Sequence, residues 1–501
     1  MYLYHNNLQL LFRLEKQLQN TTRIDTGREI FLIRRLSTIV FLYLLLITIA
    51  PTSQAAVTDP ACAGALWTAK FSDPYFMGTS MTSTPIVTSD TVYVVNRDTL
   101  YALDTRNGTT RWELLLTARM NSVCDPVMIG DDLFIPLSDG ILQCVNLRTH
   151  TTCWISETHL PDGEKSAQTL GRLSYSDGFL YAGTWVAKPG ANTDTDIRSD
   201  GIFFCVDCRN GHTVWTYRDT GNPTGFYWTQ SVSIHERIFF TAEDGTLISH
   251  GKSEDIVYEK YSLTEGKQLR CGLCLDEKTD SIFTVSKDGT LIRIRLSADG
   301  TILAVDKAAL IPDAAINCTS TPTLYKGRLY VGCIADGYGQ LCVVDADTLR
   351  LIYTAKGPKS GEIKSRPLVI PEDTDTNIET GRGSDTASPT DAVSVYVTAN
   401  DKKGALYLLC DSKETTSGKL ETIFTPYTAK QYCLANAVRG PDDVVYYSND
   451  SGTLFAIGET PISADLPAKE KKKRKKVINA IIKKMQLLQI CNIYFFHVSH
   501  I

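Results

Sequence analysis

The sequence of 501 residues lacks the short motifs of the common hydrolases and nucleotide-dependent enzymes. It contains no Gly-x-Ser-x-Gly motif, no Gly-rich phosphate loop and no His-Glu-x-x-His motif. Histidine is scarce as well, and the eight histidines are spread along the chain without an obvious pair. These absences argue against serine hydrolases, nucleotide-dependent enzymes and zinc proteases.

Long apolar runs are also nearly absent. The exception is Ile39–Ala50, which follows Arg34 and Arg35 and precedes a stretch of small residues. A basic region, a short apolar region and small residues in this order are typical of a secretory signal. We therefore predict a signal peptide or membrane anchor over residues 31–56, behind an N-terminal extension over residues 1–30. Cleavage would release the chain, whereas an uncleaved segment would hold it at the membrane.

Acidic residues outnumber basic residues between the two ends of the chain. Residues 1–50 carry a net charge of +3 and residues 469–501 a net charge of +8, so the whole-chain value of −5 leaves −16 for the residues between them. Phosphate binding needs a basic face. The acidic body therefore argues against nucleic acid as a partner.

A unit with the period of a propeller or solenoid recurs along the chain. The first copy contains Ser83–Pro85, Thr91–Val95 and Leu100–Asp104 in that order. Its proline lies seven residues before Val92, and the same spacing recurs before Leu133. These short apolar runs are rich in β-branched and aromatic residues and predict strands.

The second half of the unit has a fixed offset. An Asp or Asn closes the third strand, and an aromatic residue follows eight positions later. The offset occurs four times, as Asp104 to Trp112, Asn146 to Trp154, Asp207 to Trp215 and Asp345 to Tyr353.

Eight units begin near residues 83, 124, 172, 231, 275, 320, 366 and 437. The last unit lacks its outer strand, and an isolated segment at residues 64–70 carries a suitable aromatic residue, Trp67. We predict an all-β fold, an eight-bladed β-propeller of four-stranded antiparallel blades over residues 62–460. The N-terminal strand completes the last blade, because closure removes exposed sheet edges.

Two segments, Leu100–Trp112 and Phe203–Trp215, resemble the tryptophan docking repeat of the PQQ-like (quinoprotein alcohol dehydrogenase-like) propellers, named after pyrroloquinoline quinone. The resemblance covers roughly residues 62–458 and implies that large aromatic rings tie each blade to the next. In architecture the chain is also similar to the propeller lipoproteins of the outer-membrane assembly machinery, although it has no lipid-attachment motif. The positions that match the docking residue are Trp67, Trp112, Trp154, Trp215 and Tyr353.

Enzymes of this superfamily carry a vicinal Cys-Cys pair over the quinone, a carboxylate base, and carboxylate and amide ligands to calcium. The present sequence has no Cys-Cys dipeptide, and no Asp matches the base. Since fold alone does not confer activity, we expect a non-enzymatic binding or scaffolding protein without a cofactor. It would be exported to the cell envelope and bind protein or envelope partners. The alternatives are a PQQ- and calcium-dependent oxidoreductase and a sensor of a small ligand.

The residues before each first strand are expected to converge at the mouth of the central channel, where a small ligand would bind. Aromatic rings there would stack on a planar group, and cations would meet anionic groups. The alternative is blade-to-blade packing and solvated charge. The candidate residues are Tyr227, Trp228, Lys364, Arg366 and Asn436.

Fourteen cysteines invite a metal or disulfide interpretation in an exported protein. The Cys205/Cys208 pair occupies small-residue positions of the repeat, which favours core thiols over zinc. A second set predicts a metal site, disulfides or packed thiols near the channel mouth, and we assign no metal ligands from it. Its members are Cys124, Cys271, Cys274, Cys318 and Cys433.

Residues 461–501 have the composition of a linker followed by a basic and apolar tail. Lys469–Lys476 contains seven basic residues, and mixed apolar sequence follows. Such a tail would contact an anionic membrane surface, unless it reflects an artefactual reading frame.

Overall fold

The computed structural model describes residues 64–71, 82–120, 124–161, 168–169, 172–187, 199–371 and 391–458. The predicted N-terminal extension, signal segment and C-terminal tail lie outside these ranges. Within them, no helix has the length and apolar character needed to span a bilayer.

The described strands form eight antiparallel sheets, or blades, which follow one another along the chain. The first strand, β1 (Trp67–Lys70), belongs to blade 8. Blade 1 contains β2 (Ile86–Val87), β3 (Thr91–Asn96), β4 (Thr99–Asp104) and β5 (Thr110–Leu115). Blade 2 contains β6 (Val127–Ile129), β7 (Asp132–Pro136), β8 (Leu142–Asn146) and β9 (Thr151–Ile155). Blade 3 contains β10 (Gln168–Thr169), β11 (Ser174–Ser176), β12 (Phe179–Ala187), β13 (Ser199–Asp200), β14 (Phe203–Asp207) and β15 (Thr213–Tyr217).

The remaining five blades have the same plan. Blade 4 contains β16 (Val232–Ile234), β17 (Arg237–Thr241), β18 (Thr246–Gly251) and β19 (Val257–Ser262). Blade 5 contains β20 (Cys274–Asp276), β21 (Ser281–Val285), β22 (Thr290–Leu296) and β23 (Ile302–Ala309). Blade 6 contains β24 (Ile316–Asn317), β25 (Thr323–Tyr325), β26 (Arg328–Ala335), β27 (Tyr338–Asp345) and β28 (Leu351–Lys359). Blades 7 and 8 contain β29 (Leu368–Pro371), β30 (Val393–Thr398), β31 (Leu406–Asp411), β32 (Glu421–Phe424); and β33 (Val438–Arg439), β34 (Val445–Asn449), β35 (Thr453–Ile457).

Each blade is a four-stranded meander, to which blade 3 adds β10 and β13 and blade 6 adds β24. The first strands of neighbouring blades contact one another, as β20 does with β25, β25 with β29, β29 with β33 and β33 with β2. These first strands therefore surround the central channel, and the eight predicted units are confirmed as eight blades.

The ring closes through blade 8, as predicted. Strand β1 pairs with β35 in an antiparallel register that matches Trp67 with Ala456 and Lys70 with Thr453. The sheet order is β1-β35-β34-β33, so the N-terminal strand supplies the outer strand that the last unit lacks.

The hydrophobic core lies between successive blades. Strand β3, for example, is buried along its whole length, because one face packs on blade 8 and the other on blade 2. A strand that is covered on both faces needs apolar residues at nearly every position. The continuous run at Val92–Val95 meets this requirement, with exposed fractions of 9% or less.

A β-bulge interrupts the outer strand of blades 1 to 7. One residue of each outer strand lacks a partner in the ladder, and all of these residues except Ile352 are exposed. In blade 5 this residue is Leu303, which is 67% exposed. The seven bulge residues are Arg111, Cys153, Val214, Tyr258, Leu303, Ile352 and Ile423.

In blades 1, 2, 3 and 6 the residue after the bulge is aromatic and docks on the next blade. Trp67, which holds the corresponding position in β1, donates from Nε1 to the Thr105 carbonyl of blade 1 at 2.7 Å. Its ring lies so close to Gly108 that a Cβ there would approach it to 2.3 Å. Trp154 repeats both contacts on blade 3, with the Cys208 carbonyl at 2.9 Å and with Gly211.

The other three candidate docking residues also reach the following blade. Trp215 donates to the Lys252 carbonyl at 3.0 Å, and Tyr353 donates its hydroxyl to Asp411 at 2.6 Å. Trp112 is half-buried and stacks on His150 with 4.4 Å between ring centroids.

We predict that Trp67→Ala lowers the free energy of unfolding by about 3–5 kcal/mol, because it empties a buried aromatic site at the point of closure. The matched control is Trp112→Ala, since Trp112 holds the same repeat position but is only half-buried. Chemical denaturation of the full chain measures both variants. A loss for Trp67→Ala that is no larger than the loss for Trp112→Ala would contradict this assignment.

Candidate functional site

A short segment precedes the first strand of each blade, and in blade 4 it includes a turn at residues 227–228. The residues two positions before β2, β6, β11, β16, β20, β25, β29 and β33 form a set that we call the channel-mouth ring. Its members are Thr84, Asp125, Arg172, Gln230, Gly272, Thr321, Arg366 and Asn436.

Hydrogen bonds join each blade to the next around the channel-mouth ring. Most of them link a backbone amide or carbonyl of one segment to a group of the adjacent segment. In blade order the donor–acceptor pairs are Thr84 N–Cys124 O (3.1 Å), Leu173 N–Asp125 O (3.4 Å), Arg172 N–Thr229 O (3.1 Å), Leu273 N–Gln230 O (3.1 Å), Gly272 N–Thr321 Oγ1 (2.8 Å), Ser320 Oγ–Ser365 O (2.8 Å), Arg366 N–Asn436 Oδ1 (2.7 Å) and Asn436 N–Thr84 Oγ1 (3.3 Å).

Asn436 links five blades at this level. Its Oδ1 accepts from Arg366 N at 2.7 Å and from an Arg172 guanidinium nitrogen at 2.9 Å. Its Nδ2 donates to Thr84 Oγ1 at 3.2 Å and to the Asp125 carboxylate at 3.1 Å. Asn436 is 8% exposed, and its side-chain amide forms its hydrogen bonds with protein groups.

Arg172 and Asp125 form an ion pair beside Asn436, with 2.5 Å between Nε and Oδ2. Burial lowers the pKa of Arg172, and the attraction of Asp125 opposes that effect. An arginine keeps its charge under such conditions. The pair therefore places opposite charges side by side in the channel mouth.

A cavity of about 450 Å³, including solvent at its opening, adjoins this pair. Four lining residues belong to the channel-mouth ring, and the other four lie two positions earlier in their segments. The eight lining residues are Asp125, Arg172, Thr321, Asn436, Trp228, Thr319, Lys364 and Leu434.

Trp228 and Lys364 supply an aromatic ring and an ammonium group to the cavity lining. The Lys364 ammonium lies 5.3 Å from the Trp228 ring centroid and 3.5 Å from Glu362. Trp228 has a φ of +53°, a left-handed conformation that is costly for a bulky residue. The arrangement offers a cation and an aromatic face to a small anionic group.

The five candidate ligand residues therefore divide into two groups. Trp228, Lys364 and Asn436 line the cavity, while Arg366 joins the channel-mouth ring and turns its guanidinium toward Thr323 Oγ1 at 3.4 Å. Tyr227 is adjacent to Trp228 in the sequence but does not line the cavity.

Tyr227 packs behind the channel mouth. Its ring meets Trp185 edge-on at 5.0 Å, and the Arg270 guanidinium lies 4.3 Å from its centroid. The structure thus places Tyr227 in blade-to-blade packing.

A buried carboxylate, Glu243, organises this region. Its Oε2 accepts from Trp185 Nε1 at 2.8 Å and from Ser199 Oγ at 2.5 Å, and its Oε1 accepts from Arg270 Nε at 2.7 Å. Glu243 is fully buried, and a buried charge with a cation and hydrogen bonds is satisfied.

Glu362 is held in the same manner. It accepts from Asn317 Nδ2 at 2.7 Å and Thr319 Oγ1 at 2.6 Å, and it faces Lys364. Calcium needs six to eight oxygen ligands around one ion. Because the protein itself occupies the oxygens of Asp125, Glu243 and Glu362, these residues do not fit the calcium and quinone of the PQQ-dependent enzymes.

The cysteines near the channel mouth do not come together. Cys124 and Cys271 lie three positions before their first strands, Cys318 and Cys433 lie five positions before theirs, and Cys274 is the first residue of β20. Cys271, Cys318 and Cys433 each bond to a carbonyl of the second strand, namely Val285 O at 3.2 Å, Gly332 O at 3.2 Å and Ser448 O at 2.9 Å. Of the three interpretations left open above, the geometry is that of packed thiols. Cys205 and Cys208 are separated as well, since they pack on opposite faces of blade 3.

Sequence reasoning missed Asp125, Arg172 and Thr84. Each is a different residue type, so a search for a recurring motif does not select them. These residues share only their position, two places before a first strand. Finding them from the sequence would require knowing accurately where each first strand begins.

Comparisons with known proteins identify relatives of this propeller. The model of the family described as outer membrane protein assembly factor BamB matches residues 51–303, just over half of the chain. The outer membrane protein assembly factor BamB of Shewanella oneidensis is 22% identical over 284 residues, which cover 54% of this chain and 62% of that protein. The chain thus spans less than two thirds of the length of this curated relative.

Two solved structures share the architecture. BamB from Moraxella catarrhalis aligns with a TM-score of 0.51 and 12% identity, over 78% of this chain and 99% of that one. Quinohemoprotein alcohol dehydrogenase from Comamonas testosteroni aligns with a TM-score of 0.54 and 11% identity, over 81% of this chain and 79% of that one. At these identities the likeness shows the fold alone.

We predict that Asn436→Ala lowers the free energy of unfolding by about 1–3 kcal/mol, because it removes the acceptor of partly buried donors on Arg172 and Arg366. The control is Asn222→Ala, where the amide is exposed, and the expected change stays within about 0.5 kcal/mol. Urea denaturation followed by tryptophan fluorescence measures both. An Asn436→Ala variant as stable as the control would refute the role given to Asn436.

Proposed function

Because the chain belongs to the family of the outer membrane protein assembly factor BamB, we propose that it is a non-enzymatic binding or scaffolding protein of the cell envelope. In this role it acts outside the cytoplasm and binds protein components of outer-membrane assembly. The predicted signal segment agrees with export, and the acidic body agrees with protein rather than nucleic-acid partners.

The proposal rests on one observation: the charged groups at the channel mouth are paired with groups of the protein itself. Asp125 and Arg172 neutralise each other, and Asn436 ties both to the surrounding blades. A catalytic site of the quinoprotein kind would need carboxylates free to take a metal or a proton. Here the same groups serve blade-to-blade contact, which supports a structural channel and a binding surface elsewhere.

Exposed apolar side chains support a protein-binding surface on the outer wall. Around the outer strand of blade 4, four large apolar residues fall within six positions: Ile256, Val257, Tyr258 and Tyr261, exposed by 44%, 40%, 46% and 38%. Exposed aromatic and aliphatic clusters of this kind typify protein interfaces. The edge of an outer strand also offers unpaired backbone groups to a partner strand.

We predict that the immobilised full chain retains outer-membrane assembly proteins from an envelope extract of its source organism, as identified by mass spectrometry. The double variant Val257→Glu/Tyr261→Glu should lose them, because it places two charges in the apolar surface. Leu115→Glu is the matched control, since Leu115 is 72% exposed on the outer strand of blade 1. This variant should retain the same proteins as the wild type.

The same preparation distinguishes the enzymatic alternative. Dye-linked alcohol oxidation after addition of PQQ and calcium would contradict the proposal, as would failure to retain any outer-membrane assembly protein. Loss of retention in Leu115→Glu as well would contradict the surface on blade 4 only.

A second candidate function, binding of a small anion at the channel mouth, is favoured by Lys364 beside Trp228. PQQ without calcium is a suitable planar anionic probe. A rise in melting temperature that occurs in the wild type and disappears in Lys364→Gln would support this function, since a ligand of the native state stabilises it.

A further inference from the structure

Three potential metal ligands meet at one end of blade 2, away from the channel-mouth ring. A carboxylate oxygen of Asp132 and the Sγ atoms of Cys144 and Cys153 all lie within 4.8 Å of one another. Asp132 is half-buried, Cys144 is buried and Cys153 is exposed. Solvent therefore reaches the cluster from the Cys153 side.

The strand register explains this meeting. Asp132 begins β7 and pairs with Asn146, while Cys144 lies two residues earlier on β8 and shares its face. Cys153 is the bulge residue of β9, between the pairs formed by Trp154 and Thr152. The bulge frees its side chain from the ladder, and its Sγ lies 3.8 Å from Asp132 Oδ1.

Blade 1 shows what the equivalent position holds elsewhere. Its bulge residue is Arg111, whose guanidinium lies 2.9 Å from Asp104 and 2.6 Å from Asp90. A covalently attached cation thus neutralises the carboxylates at that end of the blade. The bulge position of blade 2 carries a thiol instead.

Asp132 has no ion pair within the described part of the chain. Its Oδ1 accepts from Asn146 Nδ2 at 2.8 Å and from Cys153 Sγ at 3.8 Å. The Asn146 contact would orient the carboxylate while leaving its second oxygen available, as outer-shell partners do in metal sites.

We propose that Asp132, Cys144 and Cys153 bind a borderline-soft divalent cation of the zinc class. Two thiolates and one carboxylate form a ligand set typical of zinc, and ligand atoms around a tetrahedral zinc ion lie roughly 3–4 Å apart. The three ligand atoms already lie within 4.8 Å of one another, so binding draws them closer together. The fourth position faces solvent and takes water. On binding, each thiol loses its proton to solvent, so two protons leave and no oxidant is needed.

A second close thiol pair provides a contrast. Cys333 and Cys342 have their sulfurs 3.9 Å apart, but both are fully buried within blade 6. That pair lacks the solvent access of the blade 2 cluster, and within the described residues no third ligand atom lies within 4.8 Å of both sulfurs.

The experiment uses the reduced, metal-stripped full chain and titrates it with Cd²⁺, whose thiolate charge-transfer absorbance reports sulfur ligation, and with Zn²⁺ against a chromophoric chelator. We expect one equivalent to bind with that absorbance. Cys153→Ser should weaken binding at least tenfold and remove much of the absorbance. Asp132→Asn should weaken binding but keep the absorbance. Cys410→Ser is the matched control, because Cys410 is also an exposed strand cysteine, and it should bind as the wild type does.

Near-equal affinity of the wild type and Cys153→Ser would overturn the proposal. So would a Cys144–Cys153 disulfide in protein isolated from the envelope and mapped under non-reducing conditions. The unfolding midpoint of each variant is measured first. Because Cys153 and Asp132 are not fully buried, both variants should keep the wild-type midpoint within a few degrees, and binding is then compared on folded protein.

Discussion

The pairing of β1 with β35 is the constraint on which the rest of the structure depends. Four residues from the beginning of the described chain complete a sheet whose other strands come from its end. Without them blade 8 would expose the edge of β35, and Trp67 would not dock on blade 1. The blade 8–blade 1 contact between Asn436 and Thr84 also requires that the ring be closed.

Position relative to the first strands then decides which residues line the cavity. The lining residues lie two positions before the first strands of blades 2, 3, 6 and 8, or four positions before those of blades 4, 6, 7 and 8. Several residues three or five positions before the first strands pack elsewhere: Tyr227 meets Trp185, and Cys271, Cys318 and Cys433 bond within their own blades. The bulge in the outer strands of blades 1 to 7 leaves one residue without a ladder partner, and in six of these blades that residue is exposed.

Much of the architecture follows from the sequence, because the information is local and repeated. The aromatic residue eight positions after Asp104 or Asp207 fixes the outer strand, and the isolated Trp67 identifies the missing one. The channel-mouth contacts are different in kind. Asn436 meets Arg172 and Thr84 across 264 and 352 residues of sequence. These neighbours differ in residue type and become adjacent only when the ring closes, so no repeat pattern contains them.

The same difference explains the blade 2 cluster. Asp132, Cys144 and Cys153 carry no recognisable metal-ligand spacing, since the bulge that brings Cys153 to Asp132 is a property of the sheet. Conversely, the Cys-x-x-Cys spacing of Cys205 and Cys208 is conspicuous in the sequence and yet spans two faces of a blade.

Native-state hydrogen exchange followed by mass spectrometry tests closure most directly. Leu66 N and Phe71 N donate to the carbonyls of Ala456 and Gly452 at 2.8 and 2.9 Å and bracket the β1–β35 pairing. We expect the backbone amides of a peptide covering residues 64–71 to exchange together with those of β34 and β35, as one cooperative unit. Immediate exchange of residues 64–71 while β34 and β35 stay protected would contradict a closed ring.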